Sequence, residues 1–232
     1  MNIIDIIVLG IIVLMFIKGM RKGLVSTVFE MASFLAAGIC AIIYRSAVSK
    51  FLMGTRIFEW IHNNVSKYVT VANNAAVQTS VSTDSANAAN SIMDSLQLPA
   101  FIKKLLLQNS SDGFGGIIDA NALSDSITSN VSSFIISILS VLLIFIGVKL
   151  ALQIVCSILN GMMSMPLLNA ANKISGGLFG AVNGIIVVYI ICAILVLFAP
   201  MKVFNPIVKL INESAIAKTF YNNNILLQFL FK

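Results

Sequence analysis

The sequence predicts an all-α integral membrane protein with four transmembrane helices, an extracytoplasmic loop of amphipathic helices and a C-terminal tail of interfacial helices. Two observations predict this class. Of the 232 residues, 58% are hydrophobic and only 10% are charged, whereas soluble domains are about 45–50% apolar and about 25% charged. The apolar residues are also concentrated in long runs, as they are in chains that cross a bilayer.

The candidate spans are apolar runs, of which the first is the shortest. A run of about 20 apolar residues is needed to cross the hydrocarbon core of a bilayer. The first run nevertheless has the wrong polarity for a cleaved signal peptide, because basic residues follow it instead of preceding it. We therefore expect it to be a retained span. The four runs cover residues 3–17, 24–44, 131–159 and 176–200.

These runs divide the chain into two transmembrane hairpins and two extramembrane segments. In the loop, residues 51–62 and the segment that begins at Pro99 have the pattern of amphipathic helices. The middle of the loop is rich in Ala, Ser and Asn, a composition that permits either weak helix or a mobile chain. The segments are a hairpin at 1–44, the loop at 45–126, a second hairpin at 127–200 and the tail at 201–232.

Basic residues in the first connection predict the orientation of the chain. Lys18, Arg21 and Lys22 lie within five residues, with no acidic residue among them, and short basic loops face the cytoplasm. Four spans then place both termini outside the cytoplasm. The lysines of the tail argue for the opposite orientation, since the second inner loop carries only Lys173.

Glycines recur at the predicted start of the fourth span. Gly176, Gly180 and Gly184 are four residues apart, so they lie on one helix face where another backbone can approach closely. Gly19 and Gly23, in the first connection, are assigned to the same helix-packing role. A substrate-binding or pore-lining face is the alternative interpretation of these glycines.

Three charged residues lie within or at the edge of the predicted spans, where such residues are candidates for a functional site. Glu30 is about 10 Å and Lys149 about 16 Å from the inner ends of their helices, at 1.5 Å per residue. The two side chains are within reach of each other, as a structural pair or as part of a proton or ion relay, or they make no contact at all. Asp5, at the outer edge, is expected to meet water or Lys202.

The sequence lacks the residue combinations that metal binding, hydrolysis and nucleotide binding require. The three cysteines lie in apolar runs without a CxxC pair, and His62 is the only histidine. A metal site, a hydrolase triad and a phosphate-binding glycine loop therefore have no basis. The net charge of +6 comes from bases beside apolar runs, which indicates membrane topology and not nucleic-acid binding. We expect no enzyme activity, cofactor, metal or nucleic-acid partner.

Several of these features together resemble the colicin V production protein (CvpA) family. They are Asp5, the basic turn Lys18-Gly19-Met20-Arg21-Lys22-Gly23 and the glycine-rich residues 176–184. The resemblance extends over the four spans, and the large loop and asparagine-rich tail are similar to the longer members found in Gram-positive bacteria. It implies a multi-pass protein of the bacterial plasma (inner) membrane with four spans and no known catalytic residues.

The resemblance also implies a function. The family name refers to a requirement in making or exporting a peptide toxin, and a related membrane module is fused in some bacteria to a protease linked to envelope stress. We therefore expect a protein of toxin biosynthesis, secretion or envelope homeostasis. Its expected partners are the lipid bilayer, an unidentified membrane or envelope protein, or copies of itself. The alternative is a small transporter or channel subunit with a polar site at Glu30 and Lys149.

Overall fold

The computed structural model describes residues 2–79, 90, 93–94, 96, 98–108, 120–160, 170–200 and 204–231. Within these residues every regular element is a helix, so the predicted all-α class is confirmed for them. In chain order the helices are α1 (Ile3–Met53), α2 (Arg56–Thr79), α3 (Ala100–Gln108), α4 (Ala120–Asn160), α5 (Ala170–Phe198), α6 (Asn205–Asn212), α7 (Ala217–Asn222) and α8 (Ile225–Phe231).

Three of the described helices are long and apolar enough to cross a membrane. They are α1, the Ser124–Val155 part of α4, and α5. Their hydrophobic length supports the predicted class of membrane protein. The first and second predicted runs both lie within α1.

Helix α1 is broken at Gly23, whose φ of 79° and ψ of 171° are not helical. This positive φ favours glycine, which lacks the Cβ that would clash there. We call residues 3–22 α1a and residues 24–53 α1b. At 1.5 Å per residue, α1a is about 30 Å long, which matches the hydrocarbon core of a bilayer. The apolar run 3–17 therefore understates the length of this helix.

Both α1a and α1b pack along α5, in opposite directions. From the start of α5 towards its middle, α5 contacts progressively earlier residues of α1a, from Gly19 to Ile12. Over the same stretch, α5 contacts progressively later residues of α1b, from Leu24 to Thr27. The chain therefore reverses its direction at Gly23.

The other long helix, α4, packs against α1b through a small apolar cluster. Phe34, Ala37 and Ala41 of α1b are buried with Val141 and Phe145 of α4. The rings of Phe34 and Phe145 are stacked with their centroids 5.9 Å apart. The two alanines allow the close approach of the helices, and the aromatic rings fill the space beside them.

The loop helices pack onto the protein as well as presenting apolar side chains to their surroundings. The apolar faces of α2 and α3 enclose the first part of α4 and the end of α1b. Trp60 and Phe51, at the predicted membrane exit, are 55% and 73% exposed. The Ala-, Ser- and Asn-rich middle of the loop runs from residue 73 to residue 90: its residues 73–79 belong to α2, and residues 80–89 lie outside the described residues. The shared core contains Leu52, Ile61, Val65, Val69, Ile102, Leu106, Ile127 and Val131.

The tail folds back onto the long helices. Val208, Tyr221 and Leu227 of α6, α7 and α8 are buried in the core that α5 and α1a also form. Ile225 and Phe229, on the other side of the tail, are 62% and 71% exposed. The tail is therefore partly a core element, and its exposed residues are the ones available for the predicted interface with the membrane.

The helices extend beyond the apolar runs that predicted them. Helix α1b continues to Met53, past the predicted boundary at residue 44, and the boundary at 126 falls inside α4. Helix α5 starts at Ala170 and not at residue 176. The reason is that hydropathy marks the part of a helix inside hydrocarbon, whereas backbone hydrogen bonding continues past the bilayer surface.

Candidate functional site

Glycines form a close crossing between the turn of α1 and the first half of α5. A Cβ on Gly176 would lie 2.5 Å from the carbonyl oxygen of Gly19 and 2.6 Å from the carbonyl carbon of Gly23. A Cβ on Gly19 would overlap the backbone of Gly176, and one on Gly180 would overlap the carbonyl of Met15. This space admits a hydrogen atom only, so the crossing requires glycine at these positions.

Two further glycines extend the crossing. A Cβ on Gly184 would lie 3.0 Å from the Cα of Ile12. Gly177, to which the sequence assigned no role, faces Phe16 and Met20, whose nearest carbons would lie 2.8 and 2.7 Å from an added Cβ. The partner of the predicted glycine face is therefore α1a of the same chain.

Asn172, to which the sequence assigned no role, holds the turn at Gly23. Its side-chain oxygen accepts a hydrogen bond of 2.8 Å from the backbone N–H of Leu24. That N–H is the first of α1b, and helices leave such groups without an internal partner. Asn172 belongs to the first turn of α5 and is 148 residues from Leu24, so no local pattern in the sequence connects it with the start of α1b.

Buried polar groups lie beside the crossing. The Thr27 hydroxyl donates to the carbonyl of Gly23 at 2.7 Å, and the Asn183 amide donates to the carbonyl of Thr27 at 3.4 Å. Asn183 is 3% exposed, and its side-chain oxygen has no hydrogen-bond partner among the described residues. Buried polar atoms of this kind are usually satisfied, so the oxygen is able to accept a bond from a water molecule or a ligand.

Of the alternatives left open for Glu30 and Lys149, a direct salt bridge between these two described residues does not form. The Glu30 carboxylate instead contacts the ammonium groups of Lys18 at 3.2 Å and Lys22 at 3.3 Å. The Lys149 ammonium lies over the ring of Phe34, 2.7 Å from its centroid. The reversal at Gly23 brings both lysines of α1a alongside α1b, and this gives Glu30 partners that are close in sequence. Arg21, the third basic residue of the turn, is exposed.

Asp5 is fully buried and binds the tail. Its carboxylate accepts hydrogen bonds from the Ser214 hydroxyl at 2.5 Å and from the Ile216 N–H at 2.8 Å. Longer bonds come from the N–H groups of Ala215 and Ala217, and Asp5 also caps the start of α1 through the N–H of Asn2. The predicted contact with water is therefore wrong, and Lys202 lies outside the described residues.

A second asparagine attaches the end of the tail to α5. The Asn224 side-chain nitrogen donates to the backbone carbonyl of Tyr189 at 2.9 Å, and its oxygen accepts from the N–H of Leu227 at 3.1 Å. The ring of Phe231 then packs at a tilt against Phe134 of α4, with ring centroids 4.8 Å apart. Asp5 and Asn224 thus fix the tail to two different helices of the bundle.

An open cleft lies beside the end of α8. It has a volume of about 240 Å³ and combines polar with aromatic side chains. The guanidinium of Arg45 lies 4.8 Å from the centroid of the Phe231 ring at this place. The lining residues are Arg45, Leu106, Asn130, Ser133, Phe134, Ser137 and Phe231.

Metal-binding side chains are not clustered in the part of the chain that the structure describes: no three or more His, Cys, Asp or Glu residues come together there. His62 lies beside Phe58, with ring centroids 5.7 Å apart. The expectation of no metal and no cofactor stays a prediction.

Comparison with known proteins identifies the family. No curated protein matches the chain, and no solved structure matches it. The family model described as colicin V production protein matches residues 4–82 and 113–224. The matched ranges include both halves of α1, all of α4 and α5, and most of the tail, which are the elements that form the glycine crossing and the Asp5 contact. The chain therefore belongs to the colicin V production protein family.

Proposed function

We propose that this protein is a non-enzymatic factor of the bacterial plasma (inner) membrane that supports toxin production and export, or envelope homeostasis, through partner proteins. Family membership carries the toxin-related part of this proposal. The non-catalytic part is supported by how the polar groups are used. Asp5 holds the tail, and Glu30 holds the lysines of the first turn. Groups committed in this way stabilise the helix bundle.

The proposed topology has four spans, formed by α1a, α1b, α4 and α5, with both termini outside the cytoplasm. The reversal at Gly23 supports two spans within α1, because α1a alone is about as long as the hydrocarbon core is thick. Lys18, Arg21 and Lys22 at this reversal favour the cytoplasmic side for it.

The partner surface in this proposal is the outer face of the tail and loop helices. The glycine face is occupied by the chain's own α1a, so it is not available to another protein. Phe229 and Ile225 of α8, together with Trp60 of α2, are apolar and exposed. Aromatic side chains of this kind are typical anchors of protein interfaces and also of membrane surfaces.

The experiment that tests this function combines a deletion strain with site-specific crosslinking. Deletion should lower the amount of secreted peptide toxin, or raise envelope-stress reporter activity, and expression of the intact chain should restore it. A photo-crosslinking residue at Phe229 should capture a membrane or envelope protein, whereas the same residue at the exposed Val25 of α1b should not. Normal toxin secretion and an unchanged stress reporter in the deletion strain would reject the proposal.

A transporter or channel subunit is the second candidate, because one observation favours it. The buried oxygen of Asn183 lacks a partner among the described residues, and it lies beside Thr27 at the helix crossing. A conduction path would pass water near these groups and near Glu30 and Lys149. Cysteines placed at Glu30 and Lys149 should then react with a small, charged thiol reagent; unreactive cysteines would remove this candidate.

A further inference from the structure

The three lysines around Glu30 carry more positive charge than one carboxylate neutralises. We call Lys18, Lys22, Lys149 and Glu30 the lysine cluster. Lys18 and Lys22 share the Glu30 carboxylate, at 3.2 and 3.3 Å. Lys149 interacts electrostatically with Glu30 and with both lysines, so the four charges form one group. Three ammonium groups and one carboxylate leave two positive charges without an acidic partner inside the cluster.

The ammonium groups of the cluster are accessible. The side chains of Lys18 and Lys22 are 46% and 44% exposed, although both contact Glu30. Lys149 is half-buried, and the ring of Phe34 below its ammonium fixes its position. A cation on an aromatic face keeps its charge and its hydrogen-bond donors available on the other side. The cluster therefore presents preorganised donors to an anion.

The cluster lies where a lipid headgroup would meet it. Lys18 and Lys22 are among the last five residues of α1a, which is about as long as the hydrocarbon core, so in the proposed topology they would reach the membrane surface opposite Asn2. Next to the cluster, Phe29 and Leu150 are 59% and 55% exposed. These apolar side chains, which neighbour Glu30 and Lys149 in the sequence, would provide a surface for acyl chains.

We propose that the lysine cluster binds the phosphate group of an anionic phospholipid, taken from the leaflet beside the turn at Gly23. The excess positive charge matches the anionic headgroup, and basic pockets between transmembrane helices bind such lipids. A soluble phosphate would use the same donors, but it would gain nothing from Phe29 and Leu150. An acidic protein segment would have to approach lysines that lie against apolar helix surface.

Glu30 moderates this binding. Its carboxylate occupies donors of Lys18 and Lys22 that would otherwise bind the phosphate, and it lowers the positive charge of the site. Replacement of Glu30 with the neutral isostere, Glu30→Gln, should therefore strengthen lipid binding. A merely structural role for the Glu30 ion pairs predicts the opposite, because loss of those ion pairs would loosen the lysines.

The test measures lipid binding to the purified full chain by native mass spectrometry in detergent, with phosphatidylglycerol and phosphatidylcholine as probes. The intact chain should retain phosphatidylglycerol in preference to phosphatidylcholine. Lys22→Gln should weaken that binding about five-fold, since one lysine near a membrane surface contributes about that factor, and Lys18→Gln with Lys22→Gln should weaken it further. Glu30→Gln should strengthen it. Lys209→Gln with Lys218→Gln, in the tail, is the matched control and should leave binding unchanged.

Several results would overturn the proposal. They are equal retention of the two lipids, equal losses in the cluster and tail variants, or weaker binding in Glu30→Gln. Full displacement of phosphatidylglycerol by inorganic phosphate at low millimolar concentration would indicate a phosphate site and not a lipid site. Helical circular dichroism of each variant verifies folding. If a lysine variant unfolds, Glu30→Gln still tests the proposal, because stronger lipid binding in that variant cannot result from unfolding.

Discussion

Replacement of Gly176 with alanine tests the close helix crossing. The new Cβ would lie 2.5 Å from the carbonyl oxygen of Gly19, whereas ordinary contacts begin at 3.4 Å, so α5 must move away from α1 by about 1 Å. A gap of that size forfeits about a quarter to a half of each dispersion contact along the interface. Overpacking of this kind costs about 1–3 kcal/mol in the free energy of unfolding.

Gly38→Ala is the matched control, because no atom lies within 4 Å of a Cβ at that position. Both variants replace a helical glycine with alanine, so both gain the same helix propensity of about 0.5–1 kcal/mol, and only Gly176→Ala adds the overlap. The assay is unfolding of the purified chain in mixed micelles with increasing sodium dodecyl sulfate, followed by helical circular dichroism. Equal unfolding midpoints for the two variants would refute the reasoning.

Three further predictions concern the turn and the tail. Gly23→Ala should destabilise the chain by about 1–3 kcal/mol in the same unfolding assay, because alanine is strained at a positive φ and its Cβ meets Asn172; stability equal to Gly38→Ala would contradict this. Asp5→Ala should lose about 1–3 kcal/mol, since the Ser214 hydroxyl and nearby N–H groups stay buried without an acceptor, and limited proteolysis should cleave the tail first; an uncleaved tail would count against it. Burial raises the pKa of Tyr221 above its usual value of 10.0, so the folded state favours the neutral phenol. Stability is then complete below pH about 10 and falls as the pH rises above that value, and Tyr221→Phe should remove this pH dependence of tail proteolysis.

The sequence predicted the features that depend on local pattern. The apolar runs identified the three described helices that are long and apolar enough to cross a membrane, α1, α4 and α5, because a bilayer demands a continuous apolar stretch. The spacing of Gly176, Gly180 and Gly184 indicated a face for close packing, and the basic residues before Gly23 indicated a turn. These signals are local, since each is contained within a few helical turns of the chain.

Features that depend on contacts between distant segments could not be predicted. Asp5 and Ser214 are 209 residues apart, and no local pattern connects an aspartate in the first span with a serine in the tail. The sequence left the partner of Glu30 open, because helix depth was the only guide to it. Depth places Lys149 near Glu30, but it does not reveal that Lys18 and Lys22 reach the carboxylate first once the chain reverses.

In the proposed topology, the reversal of the chain at Gly23 makes α1a and α1b two separate spans, and single-cysteine labelling in intact cells tests this most directly. In a background without the three native cysteines, one cysteine at a time replaces Asn2, Arg21 and Lys50, and a thiol reagent that cannot cross the membrane is added outside. The reversal predicts that the cysteines at Asn2 and Lys50 share one side and that the cysteine at Arg21 is on the other. Labelling of Asn2 and Lys50 from opposite sides would contradict it.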